Sequence, residues 1–410
     1  MKKLLVTLLL LMLCLLCGCG SQETKDAAAP AQDTPAAAPE KSPLQTAYEE
    51  GKAFELVQAE LPAEGVALGG MPVSLAPDGE TWLWQAEDGQ MYMLRGGRAL
   101  AVKPAPERGA GDPDGKLDKL FFSLNMKFLT PDVSWSPDGR YAVLSILQAG
   151  DILRINMDVV LLDAENGEAF RGTAYAFESG EQYGDVKIAA FDRTGGYVYY
   201  VVAKLPPYKV FLARYAMDTG TTELLCELPK DPVHGLFETA DGGWTLACGG
   251  WSDIQVCFAH PDESGKWRAD SALTIVPSVI SALYLHASVP GISLLEYNRK
   301  DPGKCALVRT EENGSAKEVL SGQYLGCGCP SPDGRYLLLN LQNKENRQVS
   351  FVLLDPASMQ TAEVSAPESL TKRVLIKTDR LTCMEWNAGC TLLIRDADSS
   401  EVRAWRLEIR

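Results

Sequence analysis

A hexapeptide that occurs twice constrains the fold of this chain more than any other feature of its sequence. The residues from Ser136 to Tyr141 read Ser-Pro-Asp-Gly-Arg-Tyr, and they return letter for letter from Ser331 to Tyr336. Looser copies start at Ala76, Asp192 and Thr239, each between an apolar residue and an apolar strand-like run.

Each copy has the composition of a tight turn. Proline sets φ at the first corner, aspartate accepts a hydrogen bond from the backbone two residues on, and glycine adopts a positive φ. The sequence therefore predicts a β-hairpin in several copies. The residues expected to have this structural role are Pro77, Asp78, Gly79, Pro137, Asp138, Gly139, Pro332, Asp333 and Gly334.

The apolar residues before the turns recur at intervals of 45 to 60 residues. Short strand-like runs lie between them, with almost no amphipathic helix. Strand repeats of this length are typical of β-propeller blades, whereas solenoid repeats of similar length show helical periodicity. We expect the aromatic members to be core residues between neighbouring sheets. The pre-turn residues are Leu75, Trp135, Phe191, Phe237, Leu285, Pro330 and Trp386.

The spacing predicts an all-β propeller over residues 46–410, with seven four-stranded blades and with six or eight as alternatives. The fifth unit has a degenerate turn, and the last unit has three strands before the chain ends at Arg410. Because a ring of sheets leaves no open edge, we expect an N-terminal strand to complete the last blade. The two candidates are Ala53–Val57 and Gly65–Leu68.

From about Val73 to Arg410 the chain resembles the TolB-like, WD-type β-propeller repeat of exported bacterial proteins. The resemblance rests on an apolar residue, Ser-Pro-Asp-Gly-Arg, and a following apolar strand, and it is strongest at the two identical hexapeptides. The same repeat occurs in the propellers of prolyl-oligopeptidase-type enzymes. This chain lacks their α/β-hydrolase domain and the separate N-terminal domain of the Tol protein, so the resemblance implies a fold and not an activity.

The first 18 residues have the pattern of a lipoprotein signal peptide. Lys2 and Lys3 precede a run of leucines that is short for a membrane span. The sequence Leu16-Cys17-Gly18-Cys19 resembles the bacterial lipobox, which implies that Cys19 carries the lipid. The alternative is an ordinary secretory signal in which these cysteines are incidental.

Residues 19–45 are rich in Ala and Pro, and they have too little apolar surface to fold. We expect a disordered tether that holds the propeller off the extracytoplasmic face of the cell membrane. The formal net charge of −15 argues against nucleic acid as a partner, and against protein contact with anionic lipid headgroups. We therefore expect anchoring through the lipid alone.

Two pairs of cysteines flank predicted hairpin turns. Cys248 and Cys257 lie on either side of Gly250–Asp253, and Cys383 and Cys390 lie on either side of Asn387. Each pair could form a cross-strand disulfide in an exported protein. The alternative is that they are small buried hydrophobic residues.

No motif of a known catalytic or cofactor site is present. The three histidines, His234, His260 and His286, do not follow the repeat, and we expect them to be surface or packed residues. Asp112, Asp114 and Asp118 form a weak candidate for a calcium loop that lacks the distal glutamate. They lie in a long insertion over residues 103–119, which is the candidate contact region.

These features predict a lipid-anchored extracytoplasmic protein whose propeller is a binding or scaffolding module for a protein, peptide or glycan. We expect a monomer without a cofactor. A subunit of an envelope complex is a variant of this hypothesis. The alternative function is an exported hydrolase or lyase that acts on a polysaccharide through carboxylates in the central funnel.

Overall fold

Strands make up almost all of the regular structure around the repeated turns. The computed structural model describes residues 41–105, 132–145, 158–173, 188–204, 209–229, 233–239, 241–249, 254–275, 280–289, 292–299, 306–311, 316–321, 324–331, 335–343, 348–371, 381–386, 391–396 and 402–410. In these ranges no helix is long and apolar enough to cross a membrane. The helices found there are α1 (Pro43–Glu49), α2 (Ala63–Leu68) and α3 (Glu368–Thr371).

Four of the sheets have four strands each, in sequence order, with antiparallel neighbours. We name them the first, third, fourth and fifth sheets by their place along the chain. The first contains β2 (Met71–Leu75), β3 (Trp82–Gln85), β4 (Met91–Arg95) and β5 (Arg98–Ala101). The third contains β11 (Ala189–Phe191), β12 (Tyr197–Lys204), β13 (Lys209–Ala216) and β14 (Thr222–Leu228). The fourth contains β15 (Val233–Glu238), β16 (Trp244–Gly249), β17 (Ile254–Pro261) and β18 (Trp267–Ile275), and the fifth contains β19 (Ile280–Val289), β20 (Ile292–Arg299), β21 (Ala306–Glu311) and β22 (Ala316–Ser321).

The second sheet has five strands because a two-residue strand joins its outer edge in parallel. Its turn at Asn166 and Gly167 returns the chain directly into the outer strand. The strands are β6 (Lys103–Pro104), β7 (Asp132–Trp135), β8 (Tyr141–Ser145), β9 (Asp158–Asp163) and β10 (Glu168–Thr173).

The last sheet has eight strands, in the order β23-β24-β25-β26-β1-β29-β28-β27. Strand β1 pairs antiparallel with β29 along its whole length, and Phe54 and Glu55 also pair in parallel with β26. The described residues therefore form six sheets and not seven separate ones, because β1 merges two sets of strands. The strands are β1 (Phe54–Gln58), β23 (Tyr324–Pro330), β24 (Leu337–Asn343), β25 (Gln348–Asp355), β26 (Gln360–Ser365), β27 (Leu381–Trp386), β28 (Thr391–Asp396) and β29 (Val402–Ile409).

The two identical hexapeptides occupy equivalent places, one between β7 and β8 and the other between β23 and β24. In the first, the N–H of Ser136 donates to the carbonyl of Tyr141 at 2.8 Å, and the N–H of Tyr141 donates to the Ser136 hydroxyl at 2.8 Å. In the second, Ser331 and Tyr336 make the same two bonds at 2.8 and 2.9 Å. Equal sequences therefore close equal hairpins; residues 332–334 lie outside the described ranges.

The hydrophobic cores lie between neighbouring sheets. One cluster joins the first sheet to the second, another the second to the third, and another the third to the fourth. A further cluster joins the first sheet to β28 and β29, through residues that include Trp84, Leu393 and Ala404. Up-and-down sheets packed face to face in sequence order are the arrangement of a β-propeller, which confirms the predicted all-β class.

Two of the predicted core aromatics are buried between sheets. Trp135 and Phe191 are almost fully enclosed. The indole N–H of Trp135 donates to the hydroxyl of Ser74 at 2.7 Å, which joins the second sheet to the first. Phe237 is half-buried, and the side chain of Trp386 lies outside the described part.

A cross-strand disulfide between Cys248 and Cys257, one of the two possibilities that the sequence left open, does not agree with the strand register. Cys248 lies opposite Gln255, and Cys257 lies opposite Leu246, so the two cysteines are not cross-strand partners. The β16–β17 hairpin pairs Gly249 with Ile254, so each cysteine is two residues away from the position opposite the other. The side chains of both cysteines are buried. The other predicted pair cannot be placed, because Cys390 lies outside the described residues.

Candidate functional site

A cavity of about 260 Å³ opens at one end of the fourth sheet. It lies where the turn between β15 and β16 meets the hairpin of β17 and β18. Several polar and titratable side chains converge there, which is typical of ligand pockets. The lining residues include Thr239, Asp241, Trp244, His260, Asp270 and Ser271.

The turn at Thr239 and Asp241 is the looser copy of the repeated turn in the fourth unit. The N–H of Thr239 donates to the carbonyl of Gly243 at 2.8 Å, and Gly242 has a φ of +83°. The hydroxyl of Thr239 donates to Oδ1 of Asp241. This hydrogen bond holds the pKa of Asp241 below its ordinary value against the opposing effect of burial, so the carboxylate is charged at neutral pH.

The β17–β18 hairpin forms the wall of the pocket opposite the turn of Thr239 and Asp241. His260 on β17 lies directly across from Arg268 on β18, and Asp270 lies two residues further along the same face. Nε2 of His260 is 3.1 Å from Oδ2 of Asp270, and Nε of Arg268 is 3.1 Å from the same oxygen. The side chains of His260 and Asp270 are 32% and 56% exposed, so both are open to a ligand.

A buried indole and a glycine bring the two walls together. Trp244 is only 1% exposed, and its ring centroid lies 4.6 Å from that of Tyr199 in the third sheet. A Cβ at Gly243 would lie 3.0 Å from the carbonyl oxygen of Ala259 and 3.0 Å from the hydroxyl of Thr239. The turn therefore packs directly against β17, and this contact fixes the width of the pocket.

The arrangement provides two carboxylates, an imidazole and two hydroxyls on a rigid frame. Carboxylates accept hydrogen bonds from hydroxyl, amide and ammonium groups, and bonds of this kind to a charged group are the stronger ones. Within the described ranges, no three His, Cys, Asp or Glu side chains are grouped so as to hold a metal ion. The site is therefore suited to a ligand that is rich in hydrogen-bond donors.

A second cavity, of about 430 Å³, lies beside the segment that follows β1. Its lining includes Gln58, Glu60, Trp82 and Arg406. The guanidinium of Arg406 is bonded to Glu408 at 2.6 Å. We take the first cavity as the candidate functional site because it contains the larger set of titratable groups.

The residues singled out from the sequence lie elsewhere. Of the predicted turn residues, Gly79 lines the second cavity, and Pro77, Asp78, Pro137, Asp138 and Gly139 line neither. Cys19, Asp112, Asp114, Asp118, Pro332, Asp333 and Gly334 lie outside the described residues.

Sequence reasoning missed His260 and Asp270 as site residues. They are separated by ten residues, and nothing in their spacing marks them as neighbours. The available signal was the turn at Asp262–Lys266, because a hairpin closed there places His260 and Asp270 on one face. Recognising this would have required the register of β17 and β18, in which His260 pairs with Arg268 and Phe258 pairs with Asp270.

Comparison with known proteins identifies the fold. No protein-family profile matches the chain, and no curated protein matches it. Among solved structures, an oligogalacturonate lyase of Vibrio parahaemolyticus is 9% identical with a TM-score of 0.52, over 87% of this chain and 97% of the lyase. The beta-propeller domain of Cps50 from Myceliophteria thermophila is 11% identical with a TM-score of 0.44, over 86% of this chain and 99% of that domain.

The extracellular domain of a protein from B. thetaiotaomicron is 10% identical with a TM-score of 0.48, over 86% of this chain. This chain spans only 40% of the length of that domain. At such identities the likeness to these structures assigns no activity.

Proposed function

We propose that this chain is a lipid-anchored extracytoplasmic protein whose β-propeller is a binding module for a protein, peptide or glycan. The observation that carries the proposal is the pocket of Asp241, His260 and Asp270, which a glycine contact and a buried indole hold in shape. Binding residues presented by turns on a rigid scaffold are the usual arrangement of recognition sites.

The charges of the pocket favour a neutral or cationic ligand. Asp241 and Asp270 contribute two carboxylates, only the second of which is paired with an arginine, and the chain has a net charge of −15. A ligand with hydroxyl or ammonium donors satisfies these groups, whereas an acidic oligosaccharide of the galacturonate type is repelled.

The proposed anchoring rests on the N-terminal sequence. A signal peptide over residues 1–18, a lipid on Cys19 and a tether over residues 19–45 place the propeller on the extracytoplasmic face of the cell membrane. The chain length of the tether allows the pocket to reach ligands away from the bilayer.

We further propose that the ring has seven blades and that β1 closes it. The eight-stranded sheet divides into β23–β26 and β27–β29 with β1, and each half has four strands, as four of the other five sheets have. Side chains from the two halves pack on each other, among them Phe351 from one half and Trp405 from the other. The two-residue parallel contact of β1 with β26 is the only ladder recorded between the halves among the described residues.

The binding proposal is tested with a panel of neutral, cationic and anionic oligosaccharides and peptides, using calorimetry to measure Kd. We expect binding of a neutral or cationic member. His260→Ala and Asp270→Asn should each weaken that binding by about tenfold, since each removes a hydrogen bond that involves a charged group.

Glu263→Gln is the matched control, because Glu263 is an exposed carboxylate on the adjacent turn that does not line the pocket. It should change Kd by less than about twofold. Binding that is unchanged in His260→Ala and Asp270→Asn would place the ligand elsewhere and overturn the assignment of the site.

The alternative is an exported hydrolase or lyase that acts on a polysaccharide through funnel carboxylates. The pair of His260 and Asp270 is the observation in its favour, because a carboxylate-bound imidazole can transfer a proton. Turnover of a polysaccharide in the same panel, abolished by His260→Ala, would establish it in place of simple binding.

A further inference from the structure

Two cysteines point into the hydrophobic cluster between the third and fourth sheets. Cys226 lies on β14 and shares a face with Leu228, which is buried in that cluster. Cys257 lies on β17 and shares a face with Ala259, which is buried in the same cluster. The two thiols therefore approach the same space from neighbouring sheets.

A β-bulge directs Cys226 towards the fourth sheet. Leu212 pairs with Cys226, and the next pair is Ala213 with Leu224, so one residue of β14 is extra. Leu224 packs towards the second sheet, whereas Cys226 packs towards the fourth. Without the bulge, strict alternation would place Cys226 on the same face as Leu224.

The electrostatics of the thiols are consistent with this proximity. Burial, and to a smaller extent the neighbouring Cys257, raise the pKa of Cys226 to about 12. A thiol with such a pKa is almost entirely protonated at neutral pH and is a weak nucleophile. In the folded, reduced state Cys226 is therefore slow to react.

We propose that Cys226 and Cys257 form a disulfide bond that links the third and fourth sheets when the chain folds after export. In this structure neither cysteine is in a disulfide bond. The bond forms by exchange with a disulfide oxidant. The two thiols lose two protons and two electrons, one S–S bond forms between them, and the oxidant is released as two thiols.

The stage of folding at which the disulfide bond forms follows from the burial of Cys257. Cys257 is fully buried in the folded state, so the exchange takes place before the two sheets close on each other. For the same reason the finished bond is shielded from reductants. The proposal rests on the extracytoplasmic location proposed above, because the cytosol keeps such thiols reduced.

The first test uses the full chain isolated from membranes and unfolded in denaturant, so that buried thiols are accessible, with free thiols blocked by iodoacetamide before digestion. We expect one cross-linked peptide pair that contains Cys226 and Cys257, with both residues open to alkylation only after reduction. Alkylation of either cysteine without reduction, or its linkage to another cysteine, would count against the proposal.

The second test refolds the reduced, denatured chain with glutathione disulfide or with glutathione alone. The oxidised chain should contain the same linked peptides and should melt about 4 °C higher than the reduced chain, as expected for closing a loop of this length in a domain of this size. Cys226→Ala and Cys257→Ala should abolish the redox dependence of Tm.

Cys248→Ala is the matched control, since Cys248 is buried in the same cluster and lies on the adjacent strand. Cys248→Ala should retain the redox dependence of Tm, even if the substitution itself lowers Tm. Linkage in the refolded chain but not in the membrane-derived chain would support the pairing and contradict the extracytoplasmic location. No linkage in either would overturn the pairing itself.

Discussion

At the scale of single residues, neighbouring turns constrain each other through Asp78 and Gly139. The carboxylate of Asp78 accepts hydrogen bonds from the N–H groups of Glu80 and Thr81, both at 2.9 Å, and from the Thr81 hydroxyl at 2.7 Å. These bonds hold it beside the next turn, where a Cβ on Gly139 would lie 2.6 Å from Oδ2 of Asp78. Gly139 is therefore required both by its φ of +66° and by this contact.

Gly139→Ala should lower the free energy of unfolding by about 2–4 kcal/mol, since it adds a steric conflict to the cost of a positive φ. Gly89→Ala is the comparison, because Gly89 has a φ of +92° but no atom near its missing Cβ. It should cost only about 1–2 kcal/mol. Urea unfolding of both variants measures the difference, and equal losses would show that the turns do not constrain each other.

At the scale of elements, β1 is the strand whose position the sequence left open between two candidates. The first, Ala53–Val57, overlaps β1, whereas the second, Gly65–Leu68, lies in α2. A Cβ on Gly65 would be 2.8 Å from the ring of Trp84, and the Trp84 indole donates to the carbonyl of Gly69 at 2.7 Å. Helix α2 therefore packs closely against the Trp84 indole. This contact depends on a residue that lies outside the helix, further along the chain.

Removal of β1 should destabilise the propeller strongly. A chain that begins at residue 59 loses the buried side chains of Phe54 and Leu56 and leaves β29 with an open edge. We expect a loss of about 3–6 kcal/mol from the two side chains, and aggregation through the exposed edge. Urea unfolding and light scattering measure these effects.

The control for this deletion is a chain that begins at residue 42, which retains α1 and β1. It should unfold at the urea concentration that unfolds the longer chain. If the chain without β1 were as stable and as soluble as this control, the proposed closure of the ring by β1 would be wrong.

At the scale of the whole molecule, the proposed lipid on Cys19 would determine where the pocket operates. Cys19→Ala should release the protein from the membrane, because the lipid supplies the apolar surface that enters the bilayer. Fractionation of cells, followed by partition into detergent, measures the effect. Cys14→Ala is the control, since Cys14 lies in the segment predicted to be removed; if Cys19→Ala stayed with the membrane as Cys14→Ala does, Cys19 would not be the anchor.

The sequence alone was sufficient for the propeller class and for the chemistry of its turns. Both depend on interactions within a few residues: the turn at Ser136 bonds to Tyr141, and the short apolar runs between turns have the length of buried strands. Such patterns repeat with every unit, so several copies support the same inference.

Only the tertiary structure decided which distant residues meet. The wall of His260 and Asp270 depends on the register of β17 and β18, and a shift of one residue would send either side chain to the other face of the sheet. The neighbourhood of Cys226 and Cys257 depends on a bulge and on the packing of two sheets. Contacts of this kind form between segments that carry no local signal for each other, and for that physical reason the pocket and the proposed cross-link could not be predicted from the sequence.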